Sequence, residues 1–390
     1  MPTMQHHKRK RWIRTIAAAL TVAVSGAGMY CAHAVQILPD RFTVTEQAQF
    51  SLEGHPLLTI DPDRQQIRLL GAVPVAAVEV RQTQRETVTL CGTPFGLKMY
   101  TDGALIVEIG EVDGDGGSCS PAKAAGLQTG DVIRAINGQK VTGNREASEL
   151  LSSAGGKKLR LTIERGGKEQ EVILRPVYSR SSGTYKAGMW IKDSCAGIGT
   201  MTYVCADGTF AGLGHGITDP DTKALMPVEY GQIVPVTLSG VTKGARGAPG
   251  ELKGYFASND ALGEIRCNSP TGVYGTLEQV SAGSEIEIAF RQEVHRGKAQ
   301  ILTTVSGGTP QWYEVQIERI RYDKSKPAQN LVIHITDPEL LKATGGIVQG
   351  MSGSPIVQDG RLVGAVTHVF VGDPTRGYGI FIENMLDAAG

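Results

Sequence analysis

A glycine-rich segment near the C-terminus contains residues that could carry out acyl transfer. Ser352 lies between Met351 and Gly353 within Gly346–Pro355. A serine bracketed by glycines can occupy a tight turn whose backbone N–H groups point toward one place. Such N–H groups would stabilise the oxyanion that forms when a hydroxyl attacks a carbonyl. The segment therefore predicts a nucleophilic serine, although the same pattern also occurs in ordinary loops.

The sequence around Ser352 resembles the nucleophile segment of chymotrypsin-like serine proteases. It reads G-x-S-G-x-P, and a strand, a turn and a second strand follow over residues 356–366. This resemblance implies that the oxyanion hole is formed by the N–H groups of Gly350 and Ser352.

A serine hydroxyl needs a base and a carboxylate that orients the base. His215 lies in a glycine-bracketed turn at the end of a strand-like run, where an imidazole can project into a cleft. His368 follows Ser352 by sixteen positions and is the alternative base. Two other histidines fit other roles, a structural position in a strand for His334 and a solvated basic loop for His295.

Asp337 is the candidate for the orienting carboxylate. It follows the strand-like run Leu331–Ile335 and shortly precedes the nucleophile segment. Pro338 suits the first position of a helix, so Asp337 could instead be a helix N-cap. Spacing alone does not decide between these roles. Three other aspartates are weaker candidates: Asp219, Asp221 and Asp323.

Residues 177–390 consist of short strand-like runs separated by Gly, Pro and Asn, without a long amphipathic helix. This spacing predicts a β-barrel or sandwich, and the length permits two small barrels. The runs include Gly199–Val204, Gln232–Leu238, Glu285–Phe290, Tyr313–Glu318 and Leu331–Ile335.

Residues 88–176 predict a compact domain that precedes the barrels. Pro121–Gly138 has the form P-A-x-x-A-G-L-x-x-G-D-x-I-x-x-I-N-G, and Asn137-Gly138 is a strong hairpin signal. This segment resembles PDZ domains attached to bacterial envelope proteases. The resemblance implies that an extended peptide, or a protein C-terminus, binds by strand addition near a loop that holds a carboxylate. The residues at that loop would be Thr93, Phe95, Gly96 and Leu97. Packing against the neighbouring domain is the alternative role.

The N-terminal region predicts export. Five basic residues and no acidic residue occur in residues 1–34, and residues 16–37 form an uncharged, largely apolar run. We expect a cytosolic flank at 1–15 and a membrane anchor at 16–37, with a cleaved signal peptide as the alternative. Residues 38–87 are predicted as a membrane-proximal spacer, and residues 40–390 are predicted to lie outside the cytoplasm.

Composition limits the possible classes of function. The chain has 390 residues, 41% of them hydrophobic, with 50 glycines, which indicates a folded, mainly β protein of two or three domains. Its 39 basic and 39 acidic residues balance, but the region after residue 34 holds 34 basic and 39 acidic residues, a net charge of −5. That charge disfavours nucleic-acid binding. Because the six cysteines do not have zinc-site spacing, we predict no structural metal and no cofactor.

The order of these segments resembles the stage IV sporulation protein B peptidase family. The resemblance rests on the basic anchor, the PDZ-like segment, Gly212–Asp219, Ile335–Pro338 and Gln349–Ile356. It implies that His215 is the base, Asp337 the orienting carboxylate and Ser352 the nucleophile. The expected fold is mainly β, with an anchor, a PDZ domain and a chymotrypsin-like double β-barrel at 177–390.

The same resemblance implies a serine endopeptidase of sporulation signalling in the forespore membrane. Such an enzyme would cleave itself and also cut regulators of a membrane-embedded protease that processes a sigma factor. Two alternatives remain open, a non-catalytic PDZ adaptor on a degenerate protease scaffold and a general envelope quality-control protease. In the latter class the PDZ module usually follows the protease domain, whereas here it precedes it.

Overall fold

The computed structural model of the chain describes residues 3–39, 41–45, 50–52, 55–258, 260–279 and 283–389. The chain forms two compact units. Unit 1 comprises Met1–Glu86, Ala289–His295 and Ile320–Ser325. Unit 2 comprises Thr87–Ile288, Arg296–Arg319 and Lys326–Gly390.

Unit 1 contains an N-terminal helix and a small β region. Helix α1 (Thr3–Ile37) includes the apolar stretch Thr15–Val35, whose mean hydropathy is 1.5 and whose length is sufficient to span a bilayer. The strands are β1 (Arg41–Val44), β2 (Phe50–Leu52), β3 (His55–Asp61), β4 (Gln66–Leu69), β5 (Val73–Ala77) and β6 (Glu79–Gln82). They bury Phe42, Leu58 and Ile60, so the segment predicted as a spacer has a core of its own.

The region that resembles a PDZ domain is a sheet packed against short helices. Its elements and the strand before it are β7 (Thr87–Leu90), β8 (Pro94–Ile109), β9 (Val112–Gly114), β10 (Gly117–Cys119), α2 (Pro121–Ala124), β11 (Val132–Ile136), β12 (Gln139–Lys140), α3 (Asn144–Ser153), β13 (Leu159–Arg165) and β14 (Lys168–Leu174). Ile106, Ile133 and Leu161 are buried in its core. Asn137 and Gly138 have φ values of 52° and 81°, as the predicted hairpin turn between β11 and β12 requires.

A first barrel is closed by six strands in the order β8-β19-β21-β22-β18-β17, with β17 pairing back onto β8. The elements in this part of the chain are β15 (Val177–Ser179), β16 (Thr184–Lys186), β17 (Met189–Val204), β18 (Thr209–Gly212), β19 (Tyr230–Thr242), β20 (Glu251–Phe256), β21 (Gly263–Ser269), β22 (Gly272–Leu277) and β23 (Glu285–Glu287). Phe95, Met201, Phe210 and Ile233 lie in its core.

A second barrel is closed in the order β24-β25-β26-β29-β28-β27. A 3-10 turn at Arg291–Glu293 precedes it, and its elements are β24 (Gly297–Thr303), β25 (Gln311–Ile320), β26 (Leu331–Ile335), α4 (Pro338–Thr344), β27 (Pro355–Gln358), β28 (Arg361–Phe370), β29 (Asp373–Phe381) and α5 (Ile382–Ala389). Along β25, buried Tyr313, Val315 and Ile317 alternate with outward-facing residues, as a barrel wall requires. The predicted fold, mainly β with two barrels, is confirmed.

Strands β8 and β17 run through both the first barrel and the PDZ-like sheet. In the barrel, Pro94–Tyr100 pairs with residues 194–200, and in the PDZ-like sheet Leu105–Ile109 pairs with residues 189–192. Between the two, Asp193 Oδ2 accepts a hydrogen bond of 2.9 Å from the N–H of Asn144 at the start of α3. Independent movement of the PDZ-like sheet would therefore break the pairing of two continuous strands.

Candidate active site

Ser352 lies on the turn between α4 and β27, at the face where the two barrels meet. Its carbonyl accepts the N–H of Thr200 from the first barrel at 2.9 Å, and its hydroxyl donates to the carbonyl of Thr367 in the second barrel at 2.6 Å. Its side chain is half-buried. Gly353 comes so close to Thr200 that a Cβ atom would lie 1.9 Å from the Thr200 carbonyl oxygen, and its φ is +96°. Only glycine fits this position of the turn.

The two N–H groups predicted to form the oxyanion hole are available. Within the described residues, neither the Gly350 N–H nor the Ser352 N–H donates to another group of the protein. The neighbouring N–H groups are used, since Met351 donates to Val348 O at 3.1 Å and Gly353 donates to Val366 O at 2.8 Å. The turn thus leaves free the two donors that an oxyanion would need.

His215 follows β18 on a loop whose backbone turns sharply. Leu213 and Gly214 have φ values of 67° and 65°. A Cβ on Gly214 would lie 2.9 Å from Thr367 Cγ2, so this loop packs directly on the strand whose carbonyl holds the Ser352 hydroxyl. The loop of His215 and the hydroxyl of Ser352 therefore both contact the same residue, Thr367.

The protonation of His215 suits a general base. Its Nδ1 lies 2.9 Å from the carbonyl of Gly216, which can only accept, so Nδ1 carries the proton and Nε2 keeps a lone pair. Burial lowers the pKa of His215, while the hydrogen bond to Gly216 partly opposes this shift. The imidazole is therefore neutral near pH 7, which is the form that can accept a proton.

Asn268 of β21 braces the loop that carries His215. Its amide nitrogen donates to the carbonyls of Ile217 and Met226, both at 2.9 Å, and its oxygen accepts the N–H of Ile217 at 2.8 Å. This role could not be predicted from the sequence, because an asparagine near a strand end also fits a turn.

His368, the alternative base, contacts His215. The ring centroids are 4.5 Å apart and the rings are inclined by 35°. Desolvation and the proximity of His215 lower the pKa of His368. Since two charged rings at this distance would repel each other, the pair favours neutral imidazoles at pH 7.

Asp337 caps helix α4. Its Oδ1 accepts the N–H groups of Glu339 and Leu340 at 2.9 and 3.0 Å, and its Oδ2 accepts the N–H of Glu314 at 3.3 Å. Within the described part of the chain, no carboxylate is hydrogen-bonded to His215. The contacts are those of the N-cap, and the role as orienting carboxylate stays a prediction.

Asp219 lies close to His215 in sequence but has other partners. Burial alone would raise the pKa of its carboxyl, but the N–H groups of Thr222 and Asp221 and the ammonium of Lys192 outweigh that effect and hold it below the usual value. The Lys192 Nζ is 3.4 Å from Asp219 Oδ2. Asp219 therefore fixes its own loop to β17.

The residues predicted as a carboxylate-binding loop lie in or beside strand β8. Phe95 and Leu97 pair on one side with β17 and on the other with β19, and Phe95 packs edge to face on Phe210 in the barrel core. A Cβ on Gly96 would lie 2.6 Å from the ring of Phe256, and the carbonyl of Thr93 accepts the N–H of Met201. These residues form no open loop, because barrel pairing occupies both edges of the strand at 95–97.

The six cysteines are free thiols. Among the residues described, no group of three or more His, Cys, Asp or Glu side chains is arranged to hold a metal ion.

Two closed β-barrels with a serine turn and a histidine loop at their junction define a serine peptidase. The sequence profile of the SpoIVB peptidase S55 family matches residues 183–386, more than half of the chain. The chain therefore belongs to the SpoIVB peptidase family. A PDZ domain profile matches residues 117–165, which confirms the predicted PDZ domain.

Two curated proteins are similar to parts of the chain. The putative zinc metalloprotease NMA0084 of Neisseria meningitidis serogroup A is 34% identical over 109 residues, which is 27% of this chain and 24% of that protein. The putative zinc metalloprotease LL2128 of Lactococcus lactis subsp. lactis is 34% identical over 70 residues, 18% of this chain and 16% of that protein. The chain thus spans a quarter or less of the length of these relatives.

Three solved structures are also similar. The PDZ domain of the SdrC-like protein Lmo2051 from Listeria monocytogenes has 22% identity and a TM-score of 0.19, over 23% of this chain and 87% of that one. The active form of the Rv3671c protease from M. tuberculosis has 13% identity and a TM-score of 0.31, over 50% and 75%. The HtrA-type protease AlgW, solved with a decapeptide, has 12% identity and a TM-score of 0.31, over 51% and 52%.

Proposed function

We propose that the chain is a membrane-anchored serine endopeptidase in which Ser352 is the nucleophile and His215 the base. The observation that carries this proposal is the geometry of the nucleophile turn, where the N–H groups of Gly350 and Ser352 are free beside the Ser352 hydroxyl. Both residues are partly exposed, so the two N–H groups can donate to a substrate oxygen in place of solvent.

In the proposed reaction, the Ser352 hydroxyl rotates from the Thr367 carbonyl toward His215 Nε2. As Ser352 Oγ bonds to the substrate carbonyl carbon, its proton passes to Nε2, and the carbonyl oxygen becomes an oxyanion held by the Gly350 and Ser352 N–H groups. The tetrahedral intermediate then collapses to an acyl-enzyme while the imidazolium gives its proton to the leaving amine. A water molecule then attacks the acyl carbon while His215 Nε2 takes its proton. The bond between that carbon and Ser352 Oγ breaks, the imidazolium returns the proton to Oγ, and the acid product leaves.

The substrates we propose are proteins, including the chain itself. Family membership supports a role in sporulation signalling, in which the enzyme cuts regulators of a membrane-embedded protease that processes a sigma factor. Helix α1 supports a single-pass anchor in the forespore membrane with the catalytic unit exported. The PDZ domain would present or gate a peptide.

Self-processing of the full-length chain tests this proposal. We expect wild-type protein in lipid vesicles to release a shorter form by cleavage within residues 35–90, and Ser352→Ala protein to stay intact under the same conditions. Adding wild-type enzyme to Ser352→Ala protein should restore the cut, which shows that the cut site is still exposed in the variant. Equal processing of both proteins would reject Ser352 as the nucleophile. An intact wild-type chain that also fails to cut the variant in trans would instead favour a non-catalytic PDZ adaptor.

A further inference from the structure

Every carbonyl of the turn from Gln349 to Ser352 has a fixed hydrogen-bond donor. The donors come from three parts of unit 2, and Thr200 on strand β17 supplies two of them. The bonds are Leu252 N–H to Gln349 O at 2.8 Å, Thr200 Oγ1 to Gly350 O at 2.7 Å, Ser354 N–H and Oγ to Met351 O at 3.0 and 2.6 Å, and Thr200 N–H to Ser352 O at 2.9 Å.

These bonds explain why the two oxyanion donors face the cleft. In a trans peptide the N–H and C=O point in opposite directions. The Gly350 N–H shares a peptide unit with Gln349 O, and the Ser352 N–H shares one with Met351 O. Fixing the two carbonyls toward the protein therefore directs the two N–H groups away from it.

The peptide unit between Gly350 and Met351 joins the two donor peptides. Its carbonyl is held by the Thr200 hydroxyl. Gly350 has a φ of +97°, and glycine resists rotation of its backbone less than any other residue. Without the hydroxyl, the Gly350 carbonyl would lose its donor, and this peptide would be held through the Met351 N–H, which donates to Val348 O at 3.1 Å. Its rotation about Gly350 and Met351 would change the angle between the two donor peptides on either side of it.

We propose that Thr200 is a positioning residue that holds the oxyanion hole of the proposed peptidase in its active arrangement. Thr200 is fully buried, so solvent does not compete for its hydroxyl. Its carbonyl also accepts the N–H of Leu213 at 3.2 Å, two residues before His215. One residue of the first barrel thus connects the serine turn with the histidine loop. This inference rests on the proposed function, because it assumes that an oxyanion forms at Ser352.

The test compares Thr200→Val with Thr202→Val. Thr202 lies two residues further along β17, is fully buried, and donates its hydroxyl to Gly353 O at 2.7 Å. Both substitutions remove a buried hydroxyl from a carbonyl of the same turn while keeping shape and backbone. Only the Thr200 hydroxyl, however, binds the peptide unit that joins the two oxyanion donor peptides.

The measured quantities are the second-order rate of Ser352 labelling by a fluorophosphonate, whose phosphoryl oxygen enters the oxyanion hole, and the Ki of phenylboronic acid. We expect Thr200→Val to lower the labelling rate by about 30-fold to 100-fold and to raise the Ki in parallel, which is less than the roughly 100-fold to 1000-fold effect of deleting a donor outright. Thr200→Ser keeps the hydroxyl and should restore the rate to within about threefold of wild type. Thr202→Val should lower the thermal midpoint as much as Thr200→Val and the labelling rate by no more than about threefold.

The outcomes separate this inference from the proposed function. If wild-type Ser352 is not labelled, the proposed function fails. If wild type is labelled and Thr200→Val is labelled equally fast, or if both valine variants lose rate equally, only the role of Thr200 is rejected. Should Thr200→Val not fold, as judged by circular dichroism, the pair Thr200→Ala and Thr202→Ala carries the same comparison.

Discussion

At the scale of single residues, we expect the environment of His215, the proposed base, to set the pH range of activity. A general base works only while it is neutral, so activity is present above its pKa and is lost as the pH falls through it. Burial places the pKa of His215 below the usual value of about 6.5. We therefore expect the acid limb of the fluorophosphonate labelling rate to lie below pH 6.5, measured from pH 4 to 8.

Two histidine variants identify the residue whose titration produces this acid limb. His368→Gln should keep labelling and an acid limb, because the Nε2 lone pair of His215 remains. His215→Gln should reduce labelling to the background of the denatured protein. A limb at or above pH 6.5, or loss of activity only in His368→Gln, would contradict His215 as the base.

Asp337 can be tested by a substitution that keeps its cap. Asparagine is as good an N-cap as aspartate, so Asp337→Asn should leave α4 stable. If Asp337 orients His215, as the family resemblance implies, the rate of self-processing should fall by about ten-thousandfold with an unchanged thermal midpoint. A fall of less than about tenfold would mean that Asp337 is the cap of α4 alone and that the Gly216 carbonyl suffices as the acceptor for His215 Nδ1.

The sequence indicated some site residues and left others without a signal. Ser352 and His215 could be proposed as nucleophile and base because nearby glycines permit backbone turns that other residues avoid, as at Gly353 and Gly214. Thr200 could not be predicted, since a threonine in a strand is common and its partner lies 150 positions away. The role of Asp337 was ambiguous, because an N-cap and an orienting carboxylate need the same residue type at the end of a strand.

At the scale of elements, the PDZ helix α3 depends on a residue from strand β17. The N-cap position of α3 is Gly143, which has no side chain, and the Asp193 carboxylate accepts the N–H of Asn144 in its place. We expect Asp193→Ala to speed hydrogen exchange of the amides in the first turn of α3 and to cost about 1 kcal/mol of stability. Asp193→Asn retains a side-chain oxygen and should exchange at nearly the wild-type rate.

Exchange elsewhere serves as the reference for this experiment. The barrel amides of residues 331–335 are far along the chain from Asp193 and should be unchanged in both variants. If Asp193→Ala left the first turn of α3 as protected as in wild type, Asp193 would have no capping role. The dependence of this helix on β17 would then be unsupported.

Sequence patterns predicted the elements whose conformation depends on their own residues. The turn at Asn137-Gly138 occurs where the sequence indicates it, between β11 and β12. The segment at 93–97 differs, because Pro94 and Gly96 suggest a loop while pairing with β17 and β19 makes it a central strand. That pairing involves residues about 100 and 140 positions away, which no local pattern reveals.

At the scale of the whole molecule, the sequence predicted the mainly β class and the succession of an anchor segment, a PDZ domain and barrels. It did not reveal that β8 and β17 continue from the PDZ domain into the first barrel. Strand β17, which carries Thr200, is therefore also a strand of the PDZ-like sheet. Helix α1 is long and apolar enough to span a membrane.

The most direct test of the central claim is to locate a fluorophosphonate adduct on the folded, full-length chain by peptide mass spectrometry. We predict an adduct on Ser352 in wild type, no adduct on this peptide in Ser352→Ala, and an adduct on Ser352 in a Ser354→Ala control. An adduct on another serine, or the same labelling in Ser352→Ala as in wild type, would contradict Ser352 as the nucleophile. So would cleavage of protein substrates by a preparation whose Ser352 is never labelled.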